Sequence, residues 1–296
     1  MSRRLLKDAL YSARKLFEYA NDLSFASRYD YEIDTRLAIT QLHEAGIPIS
    51  HVKHFKEKYI KLLVERWQEE GLSIDTLKNR VTKLRYVAKK INKPMIVPSN
   101  EIPGLGSRPA AEKNRAIRDI DIKRFTQSHI QHSIRLQELF GLRREESMKF
   151  ILSQADKGTY LVLKGSWTKG GISRTVPITT KAQRDFLNQL HTELKRGQSL
   201  IPEGQTYVQQ RNVYKWQVSM AGYANLHGLR HAYAQDRYRA LTASSSNTEG
   251  WDCPFNGGML TKDLTPEQKS IDHQVRLQIS EEMGHSRKSI TRTYLG

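Results

Sequence analysis

The sequence holds a single cysteine, Cys253, among 296 residues, so no disulfide can form within the chain and no cysteine-rich zinc site exists. No apolar run approaches the roughly 18 residues that a membrane-spanning helix requires. The opening stretch MSRRLLKDALYSARKLF lacks the cleavable apolar core of a secretion signal. Its basic amphipathic character is shared with transit peptides, but Asp8 and Glu18 weigh against one. The expected setting is cytoplasmic and reducing, in association with the nucleoid. Acidic residues are also short in supply: 31 Asp and Glu face 48 Lys and Arg, a net charge of +17. Such an excess points to a polyanionic partner, most simply nucleic acid. It is not confined to a tail, because residues 1–97 carry +7 and the remainder about +10.

What is present is the composition of a folded chain, long enough for two domains. Residues 1–97 read as all helical. In SIDTLKNRVTKLRYVAKKINKP, Leu77, Val81, Leu84, Val87 and Ile91 form one apolar stripe at helical spacing. Ser73 is the expected N-cap and Pro94 the expected stop. The opposite face carries Lys78, Arg85, Lys89 and Lys93, either a solvated face or a DNA contact; the global charge favours DNA. A second helix is expected over Tyr29–Glu44, ending before Gly46 and Pro48.

Three prolines and two glycines without periodicity mark residues 98–114 as a linker. Beyond it, a helix closes near Gly141 and another starts around Arg144. GTYLVLKGSWTKGGISRTVPI alternates as a β-hairpin does, with Lys169 near the tip. Thr180 and Gln183 form a capping-box pair for a helix with Gly197 just past its expected end. The rest reads as helical except for a loop over Ala243–Lys262. The second domain, 115–296, is thus expected to be mainly α with a small β-sheet.

Four separated pieces stand out: GLRREE at 141–146, WTKGGISRTVP at 167–177, HGLRH at 227–231 and GHSRKSITRTY at 284–294. Each alone has an ordinary reading, such as a surface arginine, a turn lysine or a terminal tyrosine used as an apolar anchor. His227 and His231 stand four apart on a helix, as metal ligands often do, but no zincin glutamate or third ligand accompanies them.

In order, the pieces resemble the tyrosine recombinase family, the phage-type integrases, whose catalytic set runs Arg, Lys, His-x-x-Arg, His or Trp, Tyr. The match falls on Arg143, Lys169, His227, Arg230, His285 and Tyr294, and covers about residues 115–296. The helical first domain is similar to the family's core-binding (SAM-like) domain. The resemblance implies attack by Tyr294 on a DNA phosphodiester, leaving a covalent 3′-phosphotyrosine. It implies two arginines on the phosphate, Lys169 as general acid, His227 as base and His285 as a donor to the phosphate. Glu146 and His231 are read as supports that orient Arg143 and Arg230. It implies no cofactor and no metal. The implied partners are duplex attachment sites, synapsed by a homotetramer, with a DNA-bending accessory protein as a further candidate.

Two alternatives share the pattern: a nicking-closing topoisomerase of type IB, and a non-catalytic DNA-binding protein of the same fold. Two departures from the family accompany the match. The stretch from Arg230 to His285 is long, with an apparent insertion over 243–270 whose Trp251 and Phe255 suggest partial packing. Only Leu295 and Gly296 follow Tyr294, where relatives commonly carry a tail that docks on a neighbour. Tyr294 is therefore expected on a short flexible end, reaching a phosphate without being buried.

Overall fold

The computed structural model of the chain describes residues 3–97, 106, 113–285 and 287–296, and divides into two compact units, Met1–Pro109 and Ala110–Gly296. The division falls within the expected linker, of which residues 98–105 and 107–112 lie outside the described ones.

The first unit is built from helices α1 (Arg3–Glu18), α2 (Phe25–Glu44), α3 (Glu57–Glu69) and α4 (Ile74–Lys90). Ser24 Oγ accepts the Ser27 N–H at 3.2 Å, and Ser73 Oγ accepts that of Thr76 at 3.3 Å. Each cap satisfies a donor that a helix start leaves without an intrahelical partner. The Ser24 cap starts α2 ahead of Tyr29, where the sequence pattern alone placed it. α4 buries Leu77, Val81, Leu84 and Val87, and Ile91 follows them into the same core beside Phe17, Leu42, Leu63 and Trp67. Burying apolar side chains of this size contributes about 1.5–3 kcal/mol each. α4 stops at Lys90 and not at Pro94, because Asn92 adopts a φ of 58°, a left-handed turn that asparagine tolerates.

The second unit begins its regular structure with α5 (Ser128–Phe140), α6 (Arg144–Met148) and α7 (Leu152–Ala155). Strands β1 (Tyr160–Leu163) and β2 (Arg174–Pro177) then pair antiparallel, with Leu163 opposite Arg174 and Leu161 opposite Val176. Leu161, Leu163 and Val176 point into a core with Phe140, Phe150 and Leu187, which anchors the hairpin base and leaves Lys169 on the exposed connection. α8 (Lys181–Glu193) has the expected Thr180–Gln183 capping box but stops at Glu193, short of the residue before Gly197, which serves the turn that follows.

α9 (Tyr207–Met220), α10 (Gly228–Ser246), α11 (Pro266–Glu282) and α12 (Arg292–Leu295) complete the unit. α10 continues through Ala243 to Ser246, where Asn247 caps it at a φ of 55°. α11 starts at Pro266 under a Thr265–Gln268 capping box. The expected 243–270 insertion is therefore a loop at 247–265 whose flanks belong to helices. The fold is mainly α with a two-stranded sheet, and no helix among the described residues is long and apolar enough to cross a membrane.

Candidate active site

Gly141 ends α5 with a φ of 59°, and a Cβ there would stand 2.4 Å from the Tyr233 ring. Only glycine fits both the turn and the contact. The turn delivers Arg143 to the start of α6, where Glu146 fixes it twice. Glu146 Oε2 accepts the Arg143 N–H at 2.7 Å and Oε1 accepts from Nη1 at 2.7 Å. Glu146 is fully buried and also accepts both Arg174 Nη groups, at 2.6 and 2.7 Å. Burial opposes its charge, but Arg174 and Arg143 outweigh burial and hold the carboxyl down to about 2. Arg174 Nε donates to the Glu282 carbonyl at 2.9 Å, so β2 is tied to α6 and to the end of α11 by one side chain.

Arg230, in the first turn of α10, is 1% exposed. Its Nη groups donate to the carbonyls of Gly141 and Met283, and Nη2 lies 3.3 Å from His285 Nε2. Burial lowers its pKa to about 10, with Arg143 and Arg174 acting in the same direction and Tyr294 against. His285 Nε2 is also 3.2 Å from the Tyr294 hydroxyl. Arginine has donors only, so a neutral His285 meets it with the lone pair of Nε2 and carries its proton on Nδ1. The phenol then donates to the same lone pair. Burial first, then Arg230, Arg143 and Arg174, push His285 down to about 3, which keeps the ring neutral.

Tyr294 is 4% exposed, not free at a flexible end. α12 buries Leu295 and Tyr294 against Ala234, Tyr238, Val275, Ile279 and Met283 of α10 and the α11 segment, and apolar burial decides the placement. The phenol ring lies 4.6 Å from the His231 ring and 6.2 Å from His227, with the Arg230 guanidinium at 5.9 Å. Burial lowers His231 to about 4, with His227, Arg115 and Arg230 adding to it, and lowers His227 too. Two geometries differ from the sequence-based expectation. His285, not His227, makes the hydrogen bond to the phenol. His231 rests against Tyr294, while backbone carbonyls orient Arg230.

Arg143, Lys169, Arg174, Gly284 and His285 line one open cleft of about 750 Å³. Lys169 is exposed on the hairpin tip at its rim, and Arg143 reaches the cleft while donating to the Gly284 carbonyl at 3.2 Å. Arg230, His227 and Tyr294 lie outside its lining. Among the described residues no group of three or more His, Cys, Asp or Glu side chains is placed to hold a metal ion. Arg174, noted in the sequence only as part of the strand motif that ends at Pro177, was given no place in the site. Its signal was an arginine at an inward-facing strand position beside Val176, which demands a buried partner.

Residues 10–97 match the family model described as phage integrase, N-terminal, and residues 106–236 match the model described as integrase. The chain belongs to the phage integrase family. Solved structures similar to this integrase share its fold at low identity. XerH site-specific recombinase bound to palindromic difH substrate has a TM-score of 0.58 at 13% identity, covering 97% of this chain and 81% of that one. A lambda integrase dimer bound to a COC′ core site has a TM-score of 0.58 at 13% identity, covering 99% and 79%. The Tn1549 transposon integrase with circular intermediate DNA has a TM-score of 0.54 at 13% identity, covering 100% and 96%. No curated protein matches the chain by sequence.

The α4 cations of this integrase fall inside the N-terminal match. Lys89 is exposed, Lys78 and Arg85 are half-buried, and Lys93, past the helix end, donates to the Lys53 carbonyl at 2.5 Å.

Proposed function

We propose that this integrase cuts and rejoins duplex DNA at specific sites with Tyr294 as nucleophile, integrating or excising a mobile element. The observation that carries the reading is the position of His285 Nε2, 3.2 Å from the Tyr294 hydroxyl and 3.3 Å from Arg230 Nη2. A phenol with an ordinary pKa near ~10 attacks poorly until its proton has somewhere to go. His285 is placed to take that proton. A phosphate entering the cleft brings negative charge, which raises the basicity of an imidazole depressed by burial first and then by three arginines.

Arg143, which lines the cleft, binds a non-bridging oxygen, and Arg230, buried behind His285, joins it when DNA opens the site; a single donor in such a site is worth about 2.7–4 kcal/mol. The Tyr294 oxygen bonds to phosphorus, the bond to the 5′ oxygen breaks, and Lys169 gives that oxygen a proton. The product is a 3′-phosphotyrosine and a free 5′ hydroxyl, so bond energy is kept and a 5′ hydroxyl from another strand reverses the step. His227 and His231 hold the phenol ring. In the first unit, Lys78, Arg85, Lys89 and Lys93 contact backbone phosphates. Exchange between two duplexes needs a cut in each of the four strands, so a tetramer of this chain on two attachment sites is the working assembly on the nucleoid, with a bending protein where the sites must curve.

The test is a pool of nicked random-sequence duplexes from which molecules attached to protein under denaturing conditions are recovered and sequenced. Wild type should enrich a defined site and form a covalent adduct, and Tyr294→Phe should form none. An adduct in Tyr294→Phe would overturn the assignment.

A further inference from the structure

The loop at 247–265 lies beyond the residues that the integrase model matches, yet it packs directly on the nucleophile's helix. Cys253 is fully buried in one apolar cluster with Tyr294 and Leu295, and Trp251 and Phe255 pack on that cluster. Gly296 has a φ of 93°, and a Cβ there would stand 2.9 Å from Pro254 Cβ and 3.3 Å from Phe255. The far end of α12 is thus pressed against the loop at van der Waals distance.

A polar chain joins the same parts. Gln235, 1% exposed, donates from Nε2 to the Tyr294 carbonyl at 3.0 Å and to Asn114 Oδ1 at 2.8 Å. Asn114 Nδ2 in turn donates to the Phe255 carbonyl at 3.1 Å and to Asn256 Oδ1 at 3.2 Å. On the other side, Arg276 Nη1 donates to the Gly296 carbonyl oxygen at 3.1 Å while its Nε grips Asp272 at 2.7 Å. Asp272 accepts from the Tyr238 hydroxyl at 2.7 Å, and that hydroxyl accepts from Trp251 Nε1 of the loop at 3.1 Å.

α12 spans four residues, far too few to hold a helix without tertiary support. Its position is set by what surrounds it: α10 and α11 on one side, the loop on the other. We infer that the loop at 247–265 is a cradle that sets the nucleophile, with Phe255 and Gln235 as positioning residues for Tyr294. The inference rests on the reading of Tyr294 as the attacking group. Trp251 and Phe255 of the loop, each half-buried, turn part of their surface inward onto this contact.

The test uses the full chain and the nicked duplex enriched from the random pool. Phe255→Ala and Gln235→Ala should bind the duplex as tightly as wild type in a gel shift. At saturating protein their adducts should form slower by on the order of 10²-fold, the scale of a misplacement near 1 Å. Phe255→Leu, which refills the contact, should recover most of the rate. A duplex with a bridging 5′ sulfur, whose leaving group needs no proton, should leave both alanine variants slow, because their defect lies in the attack. The cradle is overturned if wild type forms adduct and both alanine variants match its rate, if they lose binding and adduct in equal measure, or if sulfur restores them. Absence of any wild-type adduct would overturn the assignment of Tyr294 and the cradle with it.

Discussion

Arg174 of β2 holds both oxygens of Glu146, at 2.6 and 2.7 Å, while Glu146 holds Arg143. The lysine-bearing hairpin and the first arginine are therefore set by one buried carboxylate. Removing one member of a buried ion pair typically costs about 3–5 kcal/mol, because the other charge is left without compensation. Glu146→Gln should lower Tm in a thermal melt and form adduct more slowly even where the variant is fully folded. A melt that coincides with wild type would contradict the shared-anchor reading.

The histidine cage should give the protein an acid-sensitive stability. His285 is held down to about 3 and His231 to about 4, whereas an unfolded histidine titrates near ~6.5. Below that pH the unfolded chain binds protons that the folded chain refuses, so stability rises with pH across the interval. The contribution is complete above pH ~6.5 and is lost as pH falls toward the folded values. Tm should fall as pH is lowered from about 7.5 to about 4.5, and His231→Phe should flatten that slope. Equal slopes for the two proteins would remove His231 from the account.

Lys169 should act on the leaving group. Lys169→Ala should slow adduct formation by about 10²–10⁴-fold on an ordinary duplex, the range of general acid catalysis. On a duplex with a bridging 5′ sulfur most of that loss should vanish. A variant that stays slow on the sulfur substrate would assign Lys169 to another step.

The α4 cations should act through charge alone. Each lysine that neutralises a phosphate contributes about 0.9 to the slope of log affinity on log salt. Lys78→Ala with Lys89→Ala should therefore lower the slope by about 2, without changing which site is bound. An unchanged slope would place this face away from the duplex.

Much of this was legible in the chain itself. Ser73, the Thr180–Gln183 box, Gly141 and the alternation around Trp167 act within a few residues of where they stand, so spacing alone exposes them. The order Arg143, Lys169, His227, Arg230, His285, Tyr294 was readable only through its resemblance to the family's catalytic set, since each piece alone has an ordinary reading. The burial of Tyr294 was not readable, because it depends on contacts with α10, α11 and the 247–265 loop that no local pattern encodes. The same holds for the choice of histidine: His227 and His285 are equivalent as letters, and only folding brings one to 3.2 Å from the phenol. Carbonyls have no side-chain signature, so Gly141 and Met283 gave no hint that they would seat Arg230.

That seat has a consequence for the cell. The carbonyls that hold Arg230 belong to residues 89 and 53 positions away, and His285 is 55 away. A fragment that lacks either end of the 141–285 span lacks part of this seat. A molecule still emerging from the ribosome, or one partly unravelled, is able to cling to chromosomal DNA by its charge but has no assembled centre with which to break it. The charge that attracts DNA and the centre proposed to cut it are thus acquired at different stages of folding.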